Sequence, residues 1–226
     1  EVLKAYFDPV EGLGYTLCRT HINSCDFSLG SYAYDEIDGD VELQHFSIER
    51  DRQKLIPMIL AAQQVAGRPV HLLASPWSPP AWMKTNGDMC HGGKLKPAYR
   101  AAWAAYTVRY LREYAREGIP IWGLTVQNEP LAAQVWESCI YTAEEERDFV
   151  RDYLGPALVG AGLAVKKGEW FYDRIEEIYR RAGPHTPERF LRECRAMAAA
   201  AGITERAALS ARRCAEEPGG RSGLGD

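Results

Sequence analysis

Two apolar runs set the terms on which this chain can fold. Residues 70–74 (VHLLA) follow Gly67 and Pro69, and residues 121–126 (IWGLTV) follow Gly118 and Pro120. Each run is apolar on both faces, so neither suits a strand with one side in water. Short runs of this kind, punctuated by glycine and proline, fit strands buried in a parallel sheet. A third run, residues 13–19 (LGYTLCR), reads the same way. Parallel strands need crossover connections, and helical patterns lie between these runs. Residues 97–117 place Tyr99, Trp103, Tyr106, Tyr110 and Tyr114 at three- and four-residue steps, which makes one apolar stripe. Residues 51–66 read as helix with a boundary blurred by Pro57. Thr142 and Glu145 form a capping box ahead of a helix expected to bury Phe149, Val150 and Tyr153. The fold class is therefore α/β with a parallel sheet.

This rhythm stops near residue 164. Residues 1–164 carry a net charge of −6 and residues 165–226 a net charge of +2, with 10 of the chain's 20 arginines in the latter. Residues 165–217 show helical patterns (170–179, 186–201 and 204–214) and no strand, and read as a helical segment of unknown origin. The Gly-rich residues 218–226 read as a disordered tail. Overall the chain has 226 residues, 46% of them hydrophobic and 26% charged, with net charge −4. That is a globular profile with no basic footprint for nucleic acid. No stretch approaches the roughly 20 apolar residues of a membrane span. Six cysteines (Cys18, Cys25, Cys90, Cys139, Cys194, Cys214) form no CxxC and no regular spacing, which argues against a zinc site or a dense disulfide framework. Gly12-Leu13-Gly14 lacks the rest of a dinucleotide fingerprint, and no P-loop occurs. No cofactor or metal is implied, and oligomeric state is not legible. The start at Glu1, without Met or a signal sequence, reads as a cut end.

Three segments at strand ends carry the chemistry. Gln127-Asn128-Glu129-Pro130 directly follows IWGLTV. In a (β/α)8 barrel the carboxyl ends of the strands line the active site, and glycoside hydrolysis needs a carboxylic acid there to protonate the leaving oxygen. Partial burial of such a Glu keeps a proton on it near neutral pH. Asn128 can hydrogen-bond a sugar hydroxyl. Taken alone, the tetrapeptide is equally an ordinary turn at a strand end. Residues 75–84 (SPWSPPAWMK) make a stiff loop whose Trp77 offers a sugar platform, while Trp82 suits packing on the rim. Residues 19–28 (RTHINSCDFS) supply Arg19 and Asp26, which either hold sugar hydroxyls by charge-assisted hydrogen bonds or satisfy each other across the loop. His21 reads as structural.

Taken together, RTHINSCDFS, LLASPWSPPAWMKTNG, KPAYRAAWAAYTVRYL, IWGLTVQNEP and YTAEEERDFVRDYLGP resemble glycoside hydrolase family 30, close to the glucosylceramidases and their bacterial relatives. The resemblance covers residues 1–164. It implies a partial (β/α)8 TIM barrel, about strands two to four, followed by a helical, non-matching tail. It also implies a retaining β-glycosidase acting on glucosylceramide or related β-glucosides, with β-1,6-glucanase activity as the alternative within the family. Glu129 matches the general acid/base, and Arg19, Asp26, Trp77 and Asn128 match the sugar pocket. The family's nucleophilic glutamate lies on a later strand, and no glutamate in this chain matches it. The chain thus reads as a fragment that is inactive alone. The competing reading is a non-catalytic sugar-binding or interaction protein. The expected partner is a β-glucoside or glycolipid. The resemblance favours a secreted or periplasmic location and leaves a cytoplasmic one open.

Overall fold

A computed structural model describes residues 1–163. The helical reading of residues 165–217 and the disordered reading of residues 218–226 lie outside the described residues. Among the described residues, three strands form one parallel sheet in the order β1 (Leu17–Ile22), β2 (His71–Pro76), β3 (Gly123–Leu124). β1 pairs with β2 from Leu17↔His71 to Ile22↔Pro76, and β2 pairs with β3 at Leu73↔Gly123 and Ala74↔Leu124. Helices α1 (Val2–Phe7), α2 (Glu49–Gln53), α3 (Leu55–Ala66), α4 (Arg100–Arg116), α5 (Ala143–Phe149) and α6 (Gly155–Gly160) accompany it. Sheet order following chain order with helical crossovers is the arrangement of successive units of an α/β barrel wall.

The first strand begins later than its apolar run suggests. Leu13 N–H donates to the Ala5 carbonyl (2.8 Å) and Tyr15 N–H to the Tyr6 carbonyl (2.9 Å), so this stretch is tied back onto α1. Gly12 permits that approach, since a Cβ there would sit 2.2 Å from the Lys4 carbonyl oxygen. Only from Thr16, whose carbonyl accepts from His71 N–H (2.8 Å), is the backbone free to pair with β2, and Arg19 consequently lies inside the strand rather than beyond its end. The third strand is shorter than residues 121–126. Its alignment beside β2 nonetheless continues through Trp122 N–H to the Leu72 carbonyl, Thr125 N–H to Ala74 and Asn128 N–H to Pro76 (2.8–3.0 Å).

The helical expectations hold with two adjustments. Residues 51–66 divide into α2 and α3 at Lys54. Pro57 falls in the first turn of α3, where its missing N–H would have had no partner. The Thr142–Glu145 capping box is present. The following helix, however, widens to a π turn over Val150–Leu154, and the buried residues are Phe149 and Leu154, with Val150 and Tyr153 only half-buried. Pro156 has no N–H for the Asp152 carbonyl, which breaks the ordinary ladder at that turn. A spacing of five residues then returns the chain to the same face.

The aromatic stripe of α4 forms the core, with Trp103, Tyr106, Tyr110 and Tyr114 each at most 1% exposed, while Tyr99 ahead of the helix stays half-exposed. One of its polar tips, the Tyr114 hydroxyl, reaches α2 and joins two tyrosines that precede that helix. The buried Asp51 carboxyl accepts from the hydroxyls of Tyr32 (3.0 Å), Tyr34 (2.7 Å) and Tyr114 (2.6 Å). Burial, then the neighbouring phenols and Asp51, push the Tyr34 and Tyr114 hydroxyls far above their ordinary range, so they remain donors. Ring stacking adds about 0.5–1.5 kcal/mol per pair. Orphaning several buried hydroxyls costs more, about 1–3 kcal/mol each before relaxation. Asp51→Ala is therefore expected to lower the unfolding free energy by about 2–4 kcal/mol, and Tyr114→Phe by about 1–2 kcal/mol. Urea unfolding of the full chain followed by tryptophan emission checks this; equal, small effects would show that the three-hydroxyl node is not what ties α2 to α4.

Candidate functional site

Parallel pairing puts the carboxyl ends of all three strands at one edge of the sheet, and the candidate residues gather there. Arg19 is at the third position of β1. Its Nε donates to Ser75 Oγ on β2 (2.8 Å), and its Nη2 donates to Asn128 Oδ1 beyond β3 (2.7 Å). Its guanidinium carbon lies 4.6 Å from the centre of the Trp77 ring. One side chain from within β1 thus engages the ends of both β2 and β3. Arginine suits this because its planar fork offers separate donors to two acceptors while its face stacks on a ring. Ser75 Oγ in turn accepts from Thr125 Oγ1 (2.8 Å), which closes the row across the sheet. Partial burial pulls the Arg19 guanidinium down, and the nearby charges of Asp26 and Glu129 oppose that shift. The two carboxylates therefore lie within electrostatic reach of Arg19. Arg19 and Asp26 form no ion pair among the described residues, so they do not simply satisfy each other across the loop.

Glu129 and Asp26 are both exposed. The burial expected around Glu129 is absent because the described residues wall it on one side only. Its Oε2 accepts weakly from Gln134 Nε2 at 3.5 Å. Its backbone stands at φ 44°, a left-handed conformation uncommon for glutamate. Trp77 departs from the open platform: it is 8% exposed, with Arg19 over the ring. Trp82 packs as expected, 7% exposed, donating Nε1–H to the Asp35 carbonyl (3.1 Å). His21 Nδ1 hydrogen-bonds to the Asn23 carbonyl (2.5 Å), which matches its structural reading.

Three contributors escaped the sequence reading. Ser75 was legible only as part of a proline-rich loop; that it ends a strand on the same face as Arg19 requires the register His21↔Ser75. Gln127 is buried, and its Nε2 donates to the Trp77 carbonyl (2.7 Å) and the Asn128 carbonyl (2.9 Å). Lys84 is fully buried, donating to the carbonyls of Met89 (2.9 Å) and Ser138 (2.6 Å), and burial pulls its ammonium down to about 8. It pins the loop after β2 to the loop after Glu129. Among the described residues no group of three or more His, Cys, Asp or Glu is arranged to hold a metal ion, and no helix is long and apolar enough to cross a membrane.

Comparison with known proteins places this geometry. The sequence model described as the glycosyl hydrolase family 30 TIM-barrel domain matches residues 1–170. The mouse (Mus musculus) lysosomal acid glucosylceramidase is 37% identical over 174 residues, covering 73% of this chain and 34% of that protein. An endo-1,6-beta-D-glucanase of Neurospora crassa is 33% identical over 190 residues, covering 78% of this chain and 39% of that protein. Among solved structures, SrfJ of Salmonella typhimurium superposes with a TM-score of 0.68 at 47% identity, covering 71% of this chain and 36% of that one. The chain spans little more than a third of the length of these relatives.

The Arg19 cluster makes a prediction independent of any sugar. Arg19→Ala uncovers the Trp77 ring, and Arg19→Lys cannot serve Ser75, Asn128 and Trp77 together. Both variants are expected to shift part of the tryptophan emission to the red and to increase acrylamide quenching. The difference should vanish in a Trp77→Phe background. Emission unchanged by Arg19→Ala would show that the ring is covered by something else.

Proposed function

This chain belongs to glycosyl hydrolase family 30, and from that premise we propose that it supplies the acid/base half of a retaining β-glycosidase of the glucosylceramidase type. The observation that carries the reading is Glu129, set directly after Asn128 at the carboxyl edge of three parallel strands, with Arg19 hydrogen-bonded to Asn128. In barrel enzymes that edge is where the chemistry sits.

The mechanism asks for two carboxyl groups about 5–5.5 Å apart. In the first step Glu129 gives its proton to the glycosidic oxygen as the C–O bond breaks and the second carboxylate forms a covalent bond to the anomeric carbon. In the second step Glu129, now a carboxylate, takes a proton from the water that releases the sugar. Asn128 and Asp26 hold sugar hydroxyls, and Trp77 backs the guanidinium that orients Asn128. In this reading no glutamate of the chain is the second carboxylate, so the 226-residue chain binds or assists without turning over by itself. In this reading residues 1–164 are the partial catalytic domain.

The substrate is a β-glucoside. The 37% identity to a protein named lysosomal acid glucosylceramidase favours a glycolipid. The comparable likeness to an endo-1,6-beta-D-glucanase, over 78% of this chain, supports β-1,6-linked glucan as the second reading. Both use the same proton donor and differ in what occupies the leaving-group side.

In an active form that carries both carboxyl groups, Glu129→Gln is expected to slow hydrolysis of β-glucosides with poor leaving groups by about 10²–10⁴-fold, the usual worth of general acid catalysis. Activated aryl glucosides, which need little protonation, should lose far less in the bond-breaking step. The comparison of kcat/KM across leaving groups decides: equal losses of less than about tenfold would exclude Glu129 as proton donor.

A further inference from the structure

The backbone of Glu129 needs an explanation. At φ 44° it occupies a region where a Cβ crowds the carbonyl, and nothing in the glutamate side chain favours it. Pro130 follows, and a residue before proline is pushed away from the right-handed helical region, which closes one route of relaxation. The rest of the answer lies in Gln127. Asn128 C=O and Glu129 N–H belong to one rigid peptide plane. Rotation of that plane about the Glu129 N–Cα bond is φ itself. The Asn128 carbonyl is held by Gln127 Nε2 at 2.9 Å, and the Asn128 N–H is held by the Pro76 carbonyl at 2.8 Å. On the far side, the Glu129 carbonyl accepts from Ala132 N–H at 3.0 Å. The residue is therefore gripped at both ends.

The same carboxamide nitrogen gives its second hydrogen to the Trp77 carbonyl at 2.7 Å, so the loop after β2 and the peptide that orients Glu129 share one clamp. Gln127 is 6% exposed, and its Oε1 is buried without a hydrogen-bond partner. An unsatisfied buried acceptor is unfavourable. A leucine of similar size would avoid it, so the side chain is not explained by packing. What the carboxamide provides here, and leucine does not, is two N–H donors on one nitrogen.

We propose that Gln127 is a positioning residue that keeps Glu129 in its left-handed conformation, and couples it to the Trp77 loop, by donating both carboxamide hydrogens to the Asn128 and Trp77 carbonyls. The clamp stands on geometry alone. Its consequence for catalysis rests on the reading of Glu129 as the proton donor.

The test uses the full 226-residue chain, isotope-labelled, with NMR couplings that separate positive from negative φ at Glu129. Two variants are compared with the parent chain. Gln127→Leu keeps the volume and removes both donors. Gln127→Glu switches the clamp with pH: ionised it has only acceptors facing two carbonyls, and protonated it regains an O–H donor. Burial places that transition above the ordinary glutamate value of about 4.3. The parent chain should show positive φ at both about pH 4 and about pH 8, the two sides of that transition. Gln127→Leu should lose the signature at both, and Gln127→Glu should lose it at the higher pH and, with one O–H for two carbonyls, regain it only in part at the lower. A positive φ that persists in Gln127→Leu, and in Gln127→Glu at high pH, overturns the proposal. So does a change that spreads equally to the amide shifts of α4, since that marks general loss of structure. The leaving-group experiment on Glu129→Gln reads the role of Glu129 independently, so failure of that role leaves the clamp result interpretable.

Discussion

β2 is hydrogen-bonded in parallel on both sides, and the candidate site exists because of it. Parallel pairing sends Ile22, Pro76 and the segment after Leu124 to the same edge. The continued bonds from Thr125 to Ala74 and from Asn128 to Pro76 then bring Asn128 alongside the end of β2. Slip that register by one residue and Ser75 leaves the face that Arg19 uses, because strand side chains alternate. The helices support the site through this sheet and, from α4, through Tyr106, which donates to Asn23 in the loop after β1. α4 and the Asp51 node fix α2, the short helix that leads into α3, and α3 is the crossover that delivers β2 in register.

Much of this was legible. Strict apolar runs after glycine and proline announced β2 and β3, and the three- and four-residue spacing of aromatics announced α4, since burial acts on these patterns directly. What failed did so for local reasons. Leu13 and Tyr15 are apolar enough for a strand, but their N–H groups bond back to α1, a tertiary contact that periodicity cannot see. The π turn at Val150–Leu154 depends on a carbonyl that Pro156 cannot satisfy, and a helix template counts side chains rather than backbone partners. At the site, the identities of Arg19, Asp26, Trp77, Asn128 and Glu129 came from the sequence. Their relations did not. The guanidinium covering Trp77 and the carboxamide of Gln127 gripping two carbonyls are consequences of register, and Glu129 is more exposed than a lone glutamate at a barrel mouth should be.

Exposure of Glu129 and the unpaired flanks of the sheet among the described residues are two views of one fact. A closed barrel has eight strands, and among the described residues there are three. The groups that touch sugar in this reading, Asn128, Asp26 and Glu129, form one wall of a pocket. A wall can orient a hydroxyl and offer a proton, but a double displacement needs a carboxylate on the other side of the anomeric carbon. The proposal is therefore one of division: in it this chain contributes the proton donor and its supports, and not the nucleophile.

The most direct measurement of that division is turnover of an activated aryl β-glucoside by the purified 226-residue chain, with Glu129→Gln as its control. The account predicts release of the aryl group no faster than in buffer for both proteins. Sustained turnover by the parent chain, abolished by replacing a glutamate other than Glu129, would contradict it by revealing a second carboxylate within the chain.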